Sequence, residues 1–166
     1  MNIGQLTDAA WGKQSTDWML LLFHTLVRIK APCVVGETGF RGGVSAAAWA
    51  LACRDWGGRV YSMDIEPCEA GRASLEALGL AQWHTFIHGD SRVAEFPEKL
   101  DILFIDGDHT AEGVANDRER FGAMMNPGGI ILYHDTVSEP DVGEYVRAKG
   151  IADIPLGAGL GIEVLP

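Results

Sequence analysis

The sequence predicts an α/β fold: one doubly wound, mostly parallel sheet of seven strands, with an antiparallel last strand. Three observations carry this. Short runs rich in Val, Ile and Phe alternate with longer segments of helical period, as parallel strands joined by helical crossovers require. The run LDILFID (100–106) is apolar almost throughout, as a strand covered on both faces must be. Two short strands then close the chain, and the glycine-containing loop between them is short enough for an antiparallel hairpin.

Residues 1–15 read as an irregular arm. From Thr16 to Lys30, Trp18, Leu21, Leu22, Leu26 and Ile29 recur near helical spacing. That is an amphipathic helix, covering the sheet or packing on a second subunit as a homodimer would require. Trp11 and Trp18 belong to that core or interface, or line a substrate pocket. Pro32 ends the helix and Cys33 opens the first strand. A helix from Val44 to about Arg54 stops at Gly57-Gly58, and Arg59 to Asp64 is the second strand. Pro67 opens a helix running to Leu78; Trp83 to His88 is the third strand and Leu100 to Asp106 the fourth. Thr110 to Met125 is helical, and Asn126-Pro127-Gly128-Gly129 forms a turn before the fifth strand, Ile130 to His134. A last helix (Pro140 to Lys149) precedes the closing strands, Ile151 to Leu156 and Gly161 to Leu165. Residues 1–30 are thus an arm and helix, and 31–166 the sheet domain.

A chain of 166 residues needs no second core. Thirteen Lys and Arg against 23 Asp and Glu give a net charge of −10 without any basic run, which argues against a nucleic-acid partner. The apolar cluster Met19 to Phe23 is too short and too soon interrupted to span a bilayer, so no membrane role is expected. The N-terminal residues show no secretory pattern. Cys33, Cys53 and Cys68, odd in number, read as buried free thiols of a cytoplasmic protein, although Cys68 at a helix start has the alternative of a reactive thiol.

The stretch CVVGETGFRGGVS (33–45) passes from apolar strand through glycines to helix. That geometry cradles a nucleotide-like ligand at the C-terminal edge of a parallel sheet. It lacks the dinucleotide fingerprint, because Thr38 (from Gly36) and Arg41 (from Gly39, after Phe40) stand where its second glycine belongs. It reads instead as E-x-G-x-x-x-G-x-S, with Glu37, Gly39, Gly43 and Ser45. A carboxylate there is a poor neighbour for pyrophosphate. It suits ribose hydroxyls, or a cationic ligand such as S-adenosylmethionine. The other strand ends are also acidic: Asp64, Asp90, Asp106 and His134-Asp135. Asp64 follows the glycine turn at the spacing of a ribose-binding acid. Asp90 either accepts from an exocyclic amine such as that of adenine or caps the next segment.

Taken in order, ETGFRGGVS, VYSMD, HGDS, LFIDGDHTAEGVANDRERF and MNPGGIILYHD resemble class I S-adenosylmethionine-dependent methyltransferases. DGDH and the closing HD are similar to the small-molecule O-methyltransferase branch that includes the catechol and cephamycin-pathway enzymes. The resemblance covers residues 32–165 and implies a Rossmann-like sheet ending in an antiparallel strand. It also implies that Glu37, Gly39 and Gly43 hold the methionine part of the cofactor, Asp64 the ribose and Asp90-Ser91 the adenine. Thr38, Ser45, Ile65, Gly89 and Asp106 complete the expected cofactor site, and the acceptor is a small molecule.

If strands four and five are neighbours, Asp106 and Asp135 converge on one divalent cation, with His134 or Asp108 as a further ligand. Thr136 follows Asp135 where the catechol type has asparagine. His134 precedes it where the cephamycin type has glutamate, which widens the choice from Mg to Mn or Fe. His109 stands where the catechol branch places a lysine thought to take the substrate proton. Imidazole suits that task, and capping the next helix is its alternative. His24, His84 and His88 belong to no constellation. A nicotinamide oxidoreductase and a catalytically silent adenosyl-binding module are the rival readings.

Overall fold

A computed structural model describes residues 17–166; the expected arm and Trp11 lie outside them. Helix α1 (Asp17–Lys30) leads into β1 (Cys33–Thr38), α2 (Val44–Trp56), β2 (Gly58–Asp64), α3 (Glu69–Ala77) and β3 (His84–His88). The second half runs β4 (Leu100–Ile105), α4 (Ala111–Gly122), β5 (Met125–His134), α5 (Pro140–Ala148), β6 (Ala152–Ile154) and β7 (Leu160–Val164). The strands form one seven-stranded sheet in the order β3-β2-β1-β4-β5-β7-β6, and β7 runs antiparallel to both its neighbours. After stepping outward from β1 to β3, the chain returns to place β4 on the other side of β1. The crevice at that reversal, above the C-terminal strand ends, is where such a sheet takes a ligand.

The helices cover both faces. On one, Phe23 of α1 stacks on Trp49 of α2 with ring centroids 3.8 Å apart, and both pack against Phe104 of β4. Helix α1 thus covers the sheet, with Trp18 packed against this core. On the other face, Val114 and Phe121 of α4 and Val142 and Val146 of α5 bury Leu103, Ile105, Ile131 and Tyr133. These strand residues are almost fully buried, which explains the unbroken apolar runs.

Three local expectations are corrected. Asn126 to Gly129 is no turn before β5 but a bulge within it: Leu100 pairs with Met125 and Ile102 with Ile130, so those four residues stand opposite Asp101 alone. Pro127 has no N–H to give a ladder, and Asn126 Nδ2 donates instead to Asp101 Oδ1 at 2.8 Å. Pro67 lies before α3, because Cys68 takes a left-handed conformation (φ 44°) and the helix begins at Glu69. The first closing strand is also shorter than its apolar run, Ala152–Ile154.

The three cysteines carry no disulfide. Burial and the neighbouring Asp64 push the Cys68 thiol up to about 11, so it is not an activated thiolate. Among the described residues, no helix is long and apolar enough to cross a membrane.

Candidate active site

The loop between β1 and α2 is held by its own glycines and by Asp64. Gly39 has φ 85°, and a Cβ there would fall 2.0 Å from the Asp106 carbonyl oxygen. Only glycine lets the loop lie so close to the end of β4. Gly43, at φ 74°, starts α2; a Cβ on it would meet Phe40 Cζ at 2.8 Å. It shapes the loop and lines neither cavity described below. At the tip of β2, Asp64 Oδ2 accepts from the N–H groups of Phe40 and Arg41 at 2.9 and 2.8 Å, and Oδ1 accepts from Glu66 N–H at 2.9 Å. The expected ribose acid therefore also clamps the glycine loop.

Two cavities open at the C-terminal strand ends. The first, of about 440 Å³, lies over β1, β2 and β3, where Thr38, Gly39, Asp64 and Ile65 form one wall. Gly89, Asp90 and Ser91 form another, and Asp106 closes it. Eight of the expected cofactor residues thus share one hollow. Asp90 Oδ1 accepts from Arg92 N–H at 2.9 Å, and the Arg92 side chain grips both its oxygens. That bond holds the carboxyl below its usual range, so Asp90 closes the turn while facing the cavity.

The second cavity, of about 390 Å³, has an apolar floor of Met19, Leu20 and Phe23 from α1 with Phe104 from β4. Ser45 lies on its loop side and Asp106, His134 and Asp135 on its polar side. Gly39, Arg41 and Asp106 line both cavities, which therefore meet along the glycine loop.

Glu37 lies elsewhere than its position at a strand end suggests. It is fully buried, lies beneath the loop, and lines neither cavity. Ser62 Oγ–H donates to its Oε2 at 2.5 Å, while its Oε1 is buried with no hydrogen-bond partner. Burial pushes this carboxyl up to about 8 despite the hydroxyls of Ser45 and Ser62.

Strands β4 and β5 are paired neighbours, and their tips bring Asp106, His134 and Asp135 together, each offering a ligand atom within 4.8 Å of the others. His134 Nδ1 lies 2.8 Å from Asp106 Oδ1 and 3.2 Å from Asp135 Oδ2. Burial alone would lower the His134 pKa, but the two carboxylates override it and raise it to about 10. Asp135 reaches the cluster from a left-handed conformation, φ 63°. Asp108 is not in the trio; its Oδ1 accepts from Thr110 N–H at 3.0 Å.

His109 Nε2 lies 3.4 Å from Asp106 Oδ1 and 3.5 Å from Asp135 Oδ2, and Nδ1 lies 3.8 Å from Glu139 Oε1. The hydrogen bond with Asp106 leads the rise of its pKa above the usual value. The helix cap belongs to Thr110, whose Oγ1 accepts from Gly113 N–H at 3.1 Å, so His109 is free to face the cluster.

Two features lay outside the sequence reading. Arg41 takes φ 45° between the cavities, with only its place between glycines as a signal. His84, which belongs to no constellation in the sequence, touches Ser62.

Residues 37–136 match the model of a family described as a methyltransferase domain. A segment of 64 residues is 42% identical to an uncharacterised protein of Acanthamoeba polyphaga mimivirus, covering 37% of this chain and 28% of that protein, so less than a third of that relative's length is matched. Among solved structures, a Podospora anserina methyltransferase bound to S-adenosylhomocysteine superposes with a TM-score of 0.76 at 16% identity, over 98% of this chain and 85% of that one. The O-methyltransferase TomG of Streptomyces achromogenes, in complex with S-adenosylmethionine, gives 0.75 at 16% identity over 99% and 88%. A Bacillus cereus O-methyltransferase with S-adenosylhomocysteine gives 0.70 at 18% identity over 98% and 96%.

Proposed function

The chain belongs to the methyltransferase-domain family, and from that membership we propose that it transfers a methyl group from S-adenosylmethionine to an oxygen of a small molecule. The observation that carries this reading is the junction of the two cavities at Gly39, Arg41 and Asp106. It gives a cofactor and an acceptor separate chambers with one shared wall.

The first cavity suits the adenosine part. Asp64 has lone pairs left for ribose hydroxyls, exposed Ile65 offers an apolar platform for a base, and Asp90-Ser91 offer polar groups for the base's edge. Ser45 faces the second cavity beside the loop, where the methionine part would end. The bound cofactor supplies an electrophilic methyl on a sulfonium. The chain's own contribution is alignment, since two molecules held in register need no covalent help.

Two carboxylates and one imidazole within ligand range fit a divalent cation of intermediate softness, held by Asp106, His134 and Asp135. Such an ion supplies Lewis acidity to an acceptor oxygen. His109, against the same cluster, is placed to take the acceptor's proton. The apolar floor from α1 receives the acceptor's hydrocarbon body. The carboxylates of Asp64, Asp90, Asp106 and Asp108 around the first cavity repel a phosphate backbone, which favours a small molecule over nucleic acid.

Calorimetry with S-adenosylhomocysteine tests the reading. The wild type binds, and Asp64→Ala binds at least about tenfold more weakly, a loss of about 1.4 kcal/mol. A wild type that does not bind overturns the assignment.

A further inference from the structure

Glu37, Ser62 and His84 stand on three adjacent strands, β1, β2 and β3, and make one continuous polar chain. Ser62 Oγ lies 2.5 Å from Glu37 Oε2 and 3.0 Å from His84 Nε2. Glu37 and Ser62 are fully buried, whereas His84 is partly exposed on the edge strand. The chain therefore runs from beneath the glycine loop to the rim of the sheet. It is also tied to the loop, because the His84 ring stacks on Phe40 with centroids 5.2 Å apart and Phe40 N–H is one of the two loop N–H groups that Asp64 Oδ2 holds.

The other end of the chain is open. Glu37 Oε1 is buried with no hydrogen-bond partner, which is costly unless a ligand or a change of charge state resolves it. Glu37 immediately precedes Thr38 and Gly39, both of which line the cofactor cavity. The polar groups around it are Ser45 from α2, Ser62 and Asp64 from β2, His84 beyond Ser62 on β3, and Asp106 after β4. None of these is a fixed cation, and Asp64 and Asp106 oppose a further negative charge. Burial accordingly holds the Glu37 pKa at about 8 and lowers that of His84 to about 4, so both groups are neutral near pH 7 before a ligand binds.

The geometry points to a proton wire: when the positively charged cofactor of the preceding reading fills its cavity, Glu37 ionises and its proton leaves through Ser62 and His84. With the carboxyl proton on Oε2, the Ser62–Glu37 bond runs the other way from that of the ionised carboxylate: the Glu37 O–H donates to Ser62 Oγ, and the Ser62 O–H turns to donate to His84 Nε2. Transfer breaks the Glu37 O–H bond, gives the Ser62 proton to Nε2, and leaves Ser62 with the proton from Glu37. The imidazolium then loses its Nδ1 proton to water. The carboxylate ends with Ser62 Oγ–H donating to it, and one proton has reached solvent for one negative charge made beneath a cation. Ser62 and His84 are positioning residues that act through Glu37. S-adenosylhomocysteine lacks the sulfonium charge, so it expels a smaller fraction of a proton than S-adenosylmethionine.

The test counts protons on the full chain. S-adenosylmethionine is titrated by calorimetry at pH 7 in two buffers of different ionisation heat. Wild type releases close to one proton per cofactor bound, and Glu37→Gln none. In rapid mixing with phenol red, His84→Phe keeps a ring against Phe40 and leaves the proton count unchanged. It slows release at least about tenfold. Ser62→Ala cuts the same wire one link earlier and gives the same slowing, so either variant suffices if the other does not fold. Cofactor binding without proton release, or equal release by wild type and Glu37→Gln, overturns the coupling. Unchanged release rates in His84→Phe and Ser62→Ala overturn the wire. A cofactor that does not bind at all overturns the cofactor reading itself, and this inference with it.

Discussion

Asp106 Oδ1 and His134 Nδ1 lie 2.8 Å apart because they cap adjacent parallel strands, Ile105 pairing with Tyr133 one step before them. Asp135 adds a second carboxylate 3.2 Å from the same ring nitrogen. One imidazole between two acids is the arrangement a divalent cation would take over by displacing the ring proton. Asp106→Asn and Asp135→Asn are each expected to weaken Mn²⁺ binding at least about tenfold in the presence of S-adenosylhomocysteine, read by calorimetry. Unchanged affinity in both variants would remove the cation from the site.

Gly39 packs against the Asp106 carbonyl so closely that a methyl group has no room, and its φ of 85° disfavours any other residue. Gly39→Ala is expected to cost about 2–4 kcal/mol in urea denaturation, through strain and displaced backbone together. It should also weaken S-adenosylhomocysteine binding. A variant as stable as wild type with full affinity would show that the loop is not clamped as described.

Glu37 gives the pH dependence of stability a definite sign. Burial raises its pKa from 4.5 to about 8 on folding. The folded state therefore holds the proton more tightly, so the associated stability is complete below about pH 4.5 and is lost as pH rises towards 8. Glu37→Gln carries no such dependence. Between pH 5 and 8 it should gain on wild type by an amount on the order of a few kcal/mol, measured by denaturation at each pH. Parallel curves for the two proteins would mean that the carboxyl is charged throughout.

His109 reaches the acid cluster from the loop before α4, and Thr110 rather than His109 caps that helix. On the proposed function, His109→Gln is expected to lower the rate of S-adenosylhomocysteine formation, with whichever small oxygen acceptor the wild type turns over, about 10²-fold or more, with cofactor affinity unchanged. An unchanged rate would leave His109 with no part in proton transfer.

Much of this site is legible in the sequence, because each strand end carries its own local signal. An apolar run stopping at Asp64, Asp106 or His134-Asp135 marks a tip, and alternation with helices places the tips on one rim. What such signals lack is the direction of each side chain and the partner beside it. Asp64 is the last residue of β2 and Glu37 the last but one of β1, yet Glu37 lies sealed under the loop and Asp64 faces the cavity. His84 has no motif, since its partners Ser62 and Phe40 come from other elements. The bulge at Asn126–Gly129 resembles a turn because Pro and Gly mark both, and only the pairing of Leu100 with Met125 separates them.

On the proposed function, the wall that the two cavities share limits how this protein can change its choice of acceptor. Any replacement at Gly39, Arg41 or Asp106 would alter both cavities at once, whereas Met19, Leu20 and Phe23 line the second cavity alone. Divergence towards new substrates would therefore be channelled into the first helix, where repacking three apolar side chains re-sizes the second cavity and leaves the first one undisturbed.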